Sequence, residues 1–328
     1  MNEKHTFQID RKKGIGASES SIIFDLQKYC TQTKLQKIKL GEFQINDEKT
    51  TETNIGHLLE PLLLNYTCDT LGFDLAGFNS QVFKQKGYSF AHIDYLKTDN
   101  SVIIECKTTS MHFDDEWGIE MTDDIPASVQ IQVQVQMSLS GATVAYIPVL
   151  FFRDGVRSGL ESIIEFISME KLMIAINRLI ETDQCRFSIY KCHANQGLGR
   201  ELIIRINDWY DRHIIQREPV VPVNKEDCRL LYDALNIDEP VTATDDQVAL
   251  VSEFNQITQT KKELNGQLRE LEAEQDKLQV ELEKIMGANN KLICPDGELV
   301  RKIVKRKAYQ AKESQYVTFK FNHPKKRD

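Results

Sequence analysis

The chain has 328 residues, 41% apolar and 27% charged, with a formal net charge of −8. Such a composition is ordinary for a soluble globular protein of one large domain, or one domain with an appendage. The absence of any run of about 18 apolar residues excludes a membrane-spanning helix. Seven cysteines (30, 68, 106, 185, 192, 228, 294) include no CxxC pair, which excludes a disulfide framework and, with residues 1–13 lacking an apolar signal core, places the protein in the cytoplasm. Cys185, Cys192 and His193 form the one local cluster, and their spacing fits no standard zinc site. The acidity argues at first against a nucleic-acid partner. It is unevenly spread, since residues 301–328 hold ten Lys/Arg against two acidic residues. That strip is either a phosphate-contacting segment or a plain solubilising end.

Residues 14–28 begin Gly14-Ile15-Gly16-Ala17-Ser18-Glu19 and continue into Ile22-Ile23-Phe24, which predicts a glycine turn, a Ser N-cap and a short helix. Residues 55–71 read as an amphipathic helix containing His57 and Glu60-Pro61. Residues 80–109 read as two or three strands, with Lys97–Asn100 as a hairpin turn, Asp94 at a strand end and Glu105-Cys106-Lys107 within the next strand. Residues 126–140 carry Gln at 130, 132, 134 and 136, a period of two that by itself reads as strand, although Pro126 and Gly141 at the ends permit a helix. Residues 143–152 predict a buried strand in which Pro148 argues for an edge or a bulge. Helical runs follow at 168–181 and 198–216, then a connector rich in Pro, Asp and Glu over 217–246. Positions 250, 254, 257, 261, 264, 268, 271, 275, 278, 282 and 285 form a heptad seam, apolar except at Lys261 and Gln275, with Gly287 as its C-cap. Such a stripe needs another helix, another subunit or a foreign protein to cover it. Residues 291–321 read as a small β unit around Pro295-Asp296-Gly297. There are no internal repeats.

In a strand, Glu105 and Lys107 share one face while Cys106 points to the other. A carboxylate and an ammonium on an apolar strand are costly to bury without a purpose. Mg²⁺ is one such purpose, because it takes oxygen ligands and two or three carboxylates suffice. Asp94 and Glu105 are the natural metal pair, the Cys106 carbonyl offers another ligand, Glu60 completes the shell, and Lys107 orients the attacking water or offsets charge on the phosphate. The bland alternative is a strand-end Asp94 and a Glu105–Lys107 salt bridge on a solvated sheet. For the other residues the structural readings are a surface or capping His57, a core Cys106 thiol, core or rim packing for Trp117 and Trp209, and solvent-facing or structural Gln130, Gln134 and Gln136.

The order Arg11, Gly16-Ala17-Ser18-Glu19, Glu60-Pro61, Ala91-His92-Ile93-Asp94, Glu105-Cys106-Lys107, Gln132-Val133-Gln134 and Gly141 resembles the YqaJ-like viral recombinases and lambda-exonucleases, a group of the PD-(D/E)XK superfamily. The resemblance covers residues 11–152 by motif. It implies an α/β fold: a PD-(D/E)XK core, a mixed sheet flanked by helices, over 1–220, a connector over 221–246, and a long helix with a small β unit over 247–328. It also implies that 126–140 is a helix. By position it makes Asp94, Glu105, Lys107, Gln132 and Glu60 catalytic. Asp94, Glu105, Cys106 and Glu60 become the metal set for Mg²⁺, with Mn²⁺ as substitute, and Arg11 and Ser18 the contacts to a terminal 5′ phosphate. The implied activity is 5′→3′ digestion of duplex DNA ends in phage-type recombination, by a trimeric ring working with a single-strand annealing protein. Trp-His ahead of the arginine, Ser-Pro-Asp-Gly at the aspartate and a Tyr at position 129 are family features that this chain lacks. The remaining alternatives are an endonuclease or structure-specific nuclease of defence or repair, and an inactive nuclease scaffold serving as a DNA-binding or interaction module.

Overall fold

A computed structural model of the chain describes residues 11–27, 29–43, 51–153, 155, 156, 160, 168–232, 241–295 and 297–300. The chain divides into two units, Met1–Leu235 and Asn236–Asp328. The first holds a seven-stranded mixed sheet with helices on both faces.

Its strands are β1 (Ile15–Gly16), β2 (Phe78–Lys86), β3 (Ser89–Lys97), β4 (Val102–Ile104), β5 (Lys107–Ser110), β6 (Val144–Phe152) and β7 (Cys185–His193). From one edge to the other, β2 lies antiparallel to β3 and β3 antiparallel to β4. Strands β4 and β5 both run parallel to β6, and β6 antiparallel to β7. The short β1 runs parallel to the start of β3. Position 14, just before β1, requires glycine, because a Cβ there would meet the Tyr88 carbonyl oxygen at 2.4 Å.

The near-continuous apolar run Val144–Phe152 marks a strand covered on both faces. Ala145, Ile147, Val149 and Phe151 pack into one core with α4 (Ala127–Ser140) and α6 (Gln196–Tyr210). Leu150 and Phe152 pack into another with α3 (Thr51–Leu71) and α5 (Met169–Glu181). Cys192 belongs to the first core and Cys185 to the second, so they do not converge as a zinc site. The glutamine run is the helix that the family resemblance implied, closed by Gly141 at φ +82°. Between β1 and α4 sits the short α1 (Ser20–Ile23). Its N-cap is Glu19, not a serine; the side chain instead accepts a hydrogen bond from Gly16 N.

Two irregularities shape the sheet's centre. Strands β4 and β5 keep one register against β6, with Ile104 opposite Tyr146 and Lys107 opposite Val149. They are therefore one strand broken at Glu105-Cys106. Glu105 N donates to Tyr146 O at 3.0 Å. The reciprocal ladder bond to the Glu105 carbonyl would come from residue 148, and Pro148 has no N–H. Pro148 thus sits in an interior strand, not at the expected edge, and the break falls on its neighbour. The second irregularity is in β3. Ala91, Ile93 and Leu96 face the α4 core while Tyr95 faces α3, so the alternation slips at Asp94. Gln81 of β2 lies across from it, between the pairs Ser80–Tyr95 and Val82–Ile93, with φ +52°. Asp94 is accordingly inside a strand and not at its end.

Within the segment read as a connector, α7 (Lys225–Leu231) packs back on α2 (Gln32–Lys39). Asp227 accepts from Thr31 Oγ1 at 2.5 Å, and Gln36 donates to the carbonyls of His213 and Glu218. In the second unit, α8 (Asp245–Met286) begins at a Thr244–Gln247 capping box and ends at Gly287. It is followed by the hairpin β8 (Lys291–Cys294) and β9 (Gly297–Val300). The basic strip 301–328 lies outside the described residues.

Candidate active site

The broken strand and the slipped strand bring the predicted residues together. Because Cys106 has left the ladder, its N–H donates to Asp94 Oδ2 at 2.8 Å. Its thiol turns toward α3, 3.8 Å from the Glu60 carbonyl oxygen. Glu105 and Lys107 face α4, as strand alternation requires. Lys107 Nζ donates to Glu105 Oε1 at 2.7 Å and to Gln132 Oε1 at 2.9 Å. Gln132 Nε2 closes the triangle on Glu105 Oε1 at 2.5 Å. One helical turn on, Gln136 Nε2 donates to Glu105 Oε2 at 2.6 Å.

Glu60 comes from α3. Its two oxygens meet the exposed His57 Nδ1 at 2.7 Å and Gln81 Nε2 at 3.0 Å. The strained backbone at Gln81 is what aims that amide across the sheet edge.

Electrostatics set these groups apart from an ordinary salt-bridged sheet. Burial pushes the Asp94 carboxyl well above its usual value, and the Glu105 and Glu60 carboxylates push it further. Burial likewise raises Glu60, against the lowering contact with His57. Burial by itself would lower the Lys107 ammonium; Glu105 and Asp94 outweigh it, and the net shift is upward. The Cys106 thiol is raised by burial and by the three carboxylates, so it stays protonated. Three carboxylates and one ammonium leave negative charge uncompensated, and a divalent cation fits that imbalance. Among the described residues, no three His, Cys, Asp or Glu side chains converge as they stand on a single metal position. The reason is visible in the hydrogen bonds: Glu105 and Glu60 each have both oxygens held by donors, and Asp94 Oδ2 is held by Cys106.

Of the two predicted phosphate contacts, Ser18 is the one whose side chain is described. Ser18 is exposed in the turn between β1 and α1. Under it, Glu19 Oε2 accepts from Gly16 N at 2.8 Å and from the buried Lys39 at 2.6 Å. Arg11 opens the one-turn segment Arg11–Lys13, and its side chain lies outside the described residues. Trp117 packs on Phe151 and Tyr190, and Trp209 is buried with its Nε1 on Gln32, so both are packing residues. Gln134 is structural, bonded to His193 O and Asn195 N. Sequence reasoning missed Gln136 and Gln81. The four-residue step from Gln132 was a signal for the first once a helix is assumed; nothing in the sequence marks the second.

Residues 6–143 match the family described as the YqaJ-like viral recombinase domain, which bears out the resemblance drawn from the motifs. The uncharacterized protein YqaJ of Bacillus subtilis (strain 168) is 32% identical over 135 residues, 40% of this chain and 41% of that protein. The chain thus aligns with less than half of that relative. Among solved structures, a phage related exonuclease from Haemophilus somnus 129PT is similar at 15% identity, over 62% of this chain and 96% of that one, with a TM-score of 0.40. The alkaline exonuclease LHK-Exo from Laribacter hongkongensis is similar at 13% identity, over 63% and 90%, with a TM-score of 0.39. Among the described residues no helix is long and apolar enough to cross a membrane.

Proposed function

We propose that the chain is a divalent-metal-dependent deoxyribonuclease acting on the ends of linear duplex DNA, with Mg²⁺ as the metal and Mn²⁺ as a substitute. The observation that carries this reading is the Glu105–Lys107–Gln132 triangle beside Asp94 and Glu60: one half-buried ammonium bonded to Glu105 and Gln132, next to an Asp94 carboxyl that burial and the Glu105 and Glu60 carboxylates push up. When bound, the metal supplies charge neutralisation at the phosphate and a water of lowered pKa. Asp94, Glu105 and Glu60, with the Cys106 carbonyl, are the residues that would hold it. Lys107 holds a proton at Nζ above its ordinary range, where it faces the phosphate oxygens as a fixed positive charge. Gln132 orients Lys107 and Glu105 together.

The family match supports DNA recombination as the setting. Polarity 5′→3′, an end grip by Arg11 and Ser18, a homo-oligomer such as a trimer, and a single-strand annealing partner belong to this reading by family resemblance. Its test is digestion of linear and covalently closed duplex with and without Mg²⁺. Metal-dependent loss of linear DNA, closed circles being spared, is the expected result, and Asp94→Ala, Glu105→Ala and Lys107→Ala each abolish it. Full activity in Glu105→Ala, or equal cleavage of circles, overturns it.

A further inference from the structure

We propose that Gln136 is a positioning residue that fixes the Glu105 carboxylate for a divalent cation. The inference rests on the metal-dependent reading above and names a residue that this reading does not use. Gln136 is fully buried on α4, one turn beyond Gln132. Its Nε2 lies 2.6 Å from Glu105 Oε2 and 3.2 Å from the main-chain carbonyl of His92. Both neighbours are acceptors, so the amide has only one workable orientation: the NH₂ group faces them and Oε1 points away. In that orientation Oε1 is buried with no hydrogen-bond partner. A buried amide oxygen without a donor is costly, and native proteins seldom retain one without a use.

Glu105 is thereby gripped from two sides. Lys107 and Gln132 hold Oε1, and Gln136 holds Oε2. Rotation about the terminal bond of Glu105 is blocked as long as both amides are present. The remaining lone pairs keep one direction, the preorganisation that an octahedral cation demands.

The test is calorimetric titration of the 328-residue chain with Mn²⁺ alone, beside thermal melts, for wild type, Gln136→Met and Gln136→Leu. Both replacements fill much of the same space and remove the orphaned oxygen along with the donor. The expected result is Mn²⁺ affinity reduced about tenfold in the folded variants, whatever the change in melting temperature, the usual effect of removing a group that orients a ligand. A purely structural Gln136 leaves Mn²⁺ affinity unchanged in whichever variant folds, and that result overturns the proposal. A wild-type chain with no Mn²⁺ binding overturns the metal-dependent reading itself, and this proposal with it.

Discussion

The Cys106 N–H donates to Asp94 across the gap between β4 and β5, at the one point where the neighbouring strand offers no donor to Glu105. Pro148 creates that point. In the middle of a sheet a proline removes a ladder bond and is ordinarily excluded. Here the missing bond goes with Glu105-Cys106 leaving the ladder, and the main chain itself binds a carboxylate of the candidate site.

Pro148→Ala restores a donor to the Glu105 carbonyl. The new bond contributes about 1 kcal/mol, and the freer unfolded chain takes back about 0.4–1 kcal/mol. Stability by urea unfolding therefore stays within about 1 kcal/mol of wild type. Nuclease activity falls, because drawing the Glu105 carbonyl toward residue 148 shifts the 105–106 peptide, whose N–H holds Asp94 on its opposite side. An unchanged rate of linear-duplex digestion would show that the break is incidental.

How far the sequence revealed this site depends on where regular patterns hold. Alternation placed Glu105 and Lys107 on one face and Cys106 on the other, and the structure agrees because the ladder resumes in register at Lys107. The period-of-two rule failed at Asp94, where β3 slips, and at the glutamines, which a helix carries despite their strand-like spacing. The failures cluster at the site because it is built from departures from regular structure. Gln81, with its left-handed backbone, and the fold-back of α7 are long-range outcomes that no local propensity encodes.

Asp94→Asn separates stability from function. Burial and two neighbouring carboxylates raise the folded-state pKa of Asp94 above its unfolded value. The folded protein then binds the proton more tightly than the unfolded chain, so stability declines as pH rises from about 3.9 through the folded value. The amide keeps an acceptor for Cys106 N and carries no charge. The variant is expected to be inactive yet more stable at pH 7, by about 1 kcal/mol. Its advantage shrinks toward pH 4. Equal melting temperatures of the two proteins at pH 7 would refute the electrostatic account.

Lys39 is buried and paired with Glu19, whose same oxygen holds Gly16 N beneath the Ser18 turn. Lys39→Met leaves the carboxylate without its cation, and breaking a buried pair from one side costs about 3 kcal/mol. The double variant Lys39→Met/Glu19→Gln recovers part of that loss. Chemical unfolding checks both. A single variant within about 0.5 kcal/mol of wild type would mean that the pair is effectively solvated.

The seam of α8 carries nine apolar side chains, all of them exposed: Leu250, Phe254, Ile257, Leu264, Leu268, Leu271, Leu278, Leu282 and Ile285. Full burial of one such side chain contributes about 1.5–3 kcal/mol. Nine of them rival or exceed the ~4–15 kcal/mol lost when two bodies associate. Lys261 and Gln275 interrupt the seam, which sets register at some expense of affinity. The expected outcome is self-association through this helix, so the 328-residue chain sediments above the 37.8 kDa of one copy. Leu264→Asp/Leu271→Asp puts two charges in the seam and returns the mass to that of a single chain, with the melting of the unit 1–235 unchanged. A wild-type protein that already sediments at one chain mass at micromolar concentration would leave the seam to a different protein as partner and defeat the prediction.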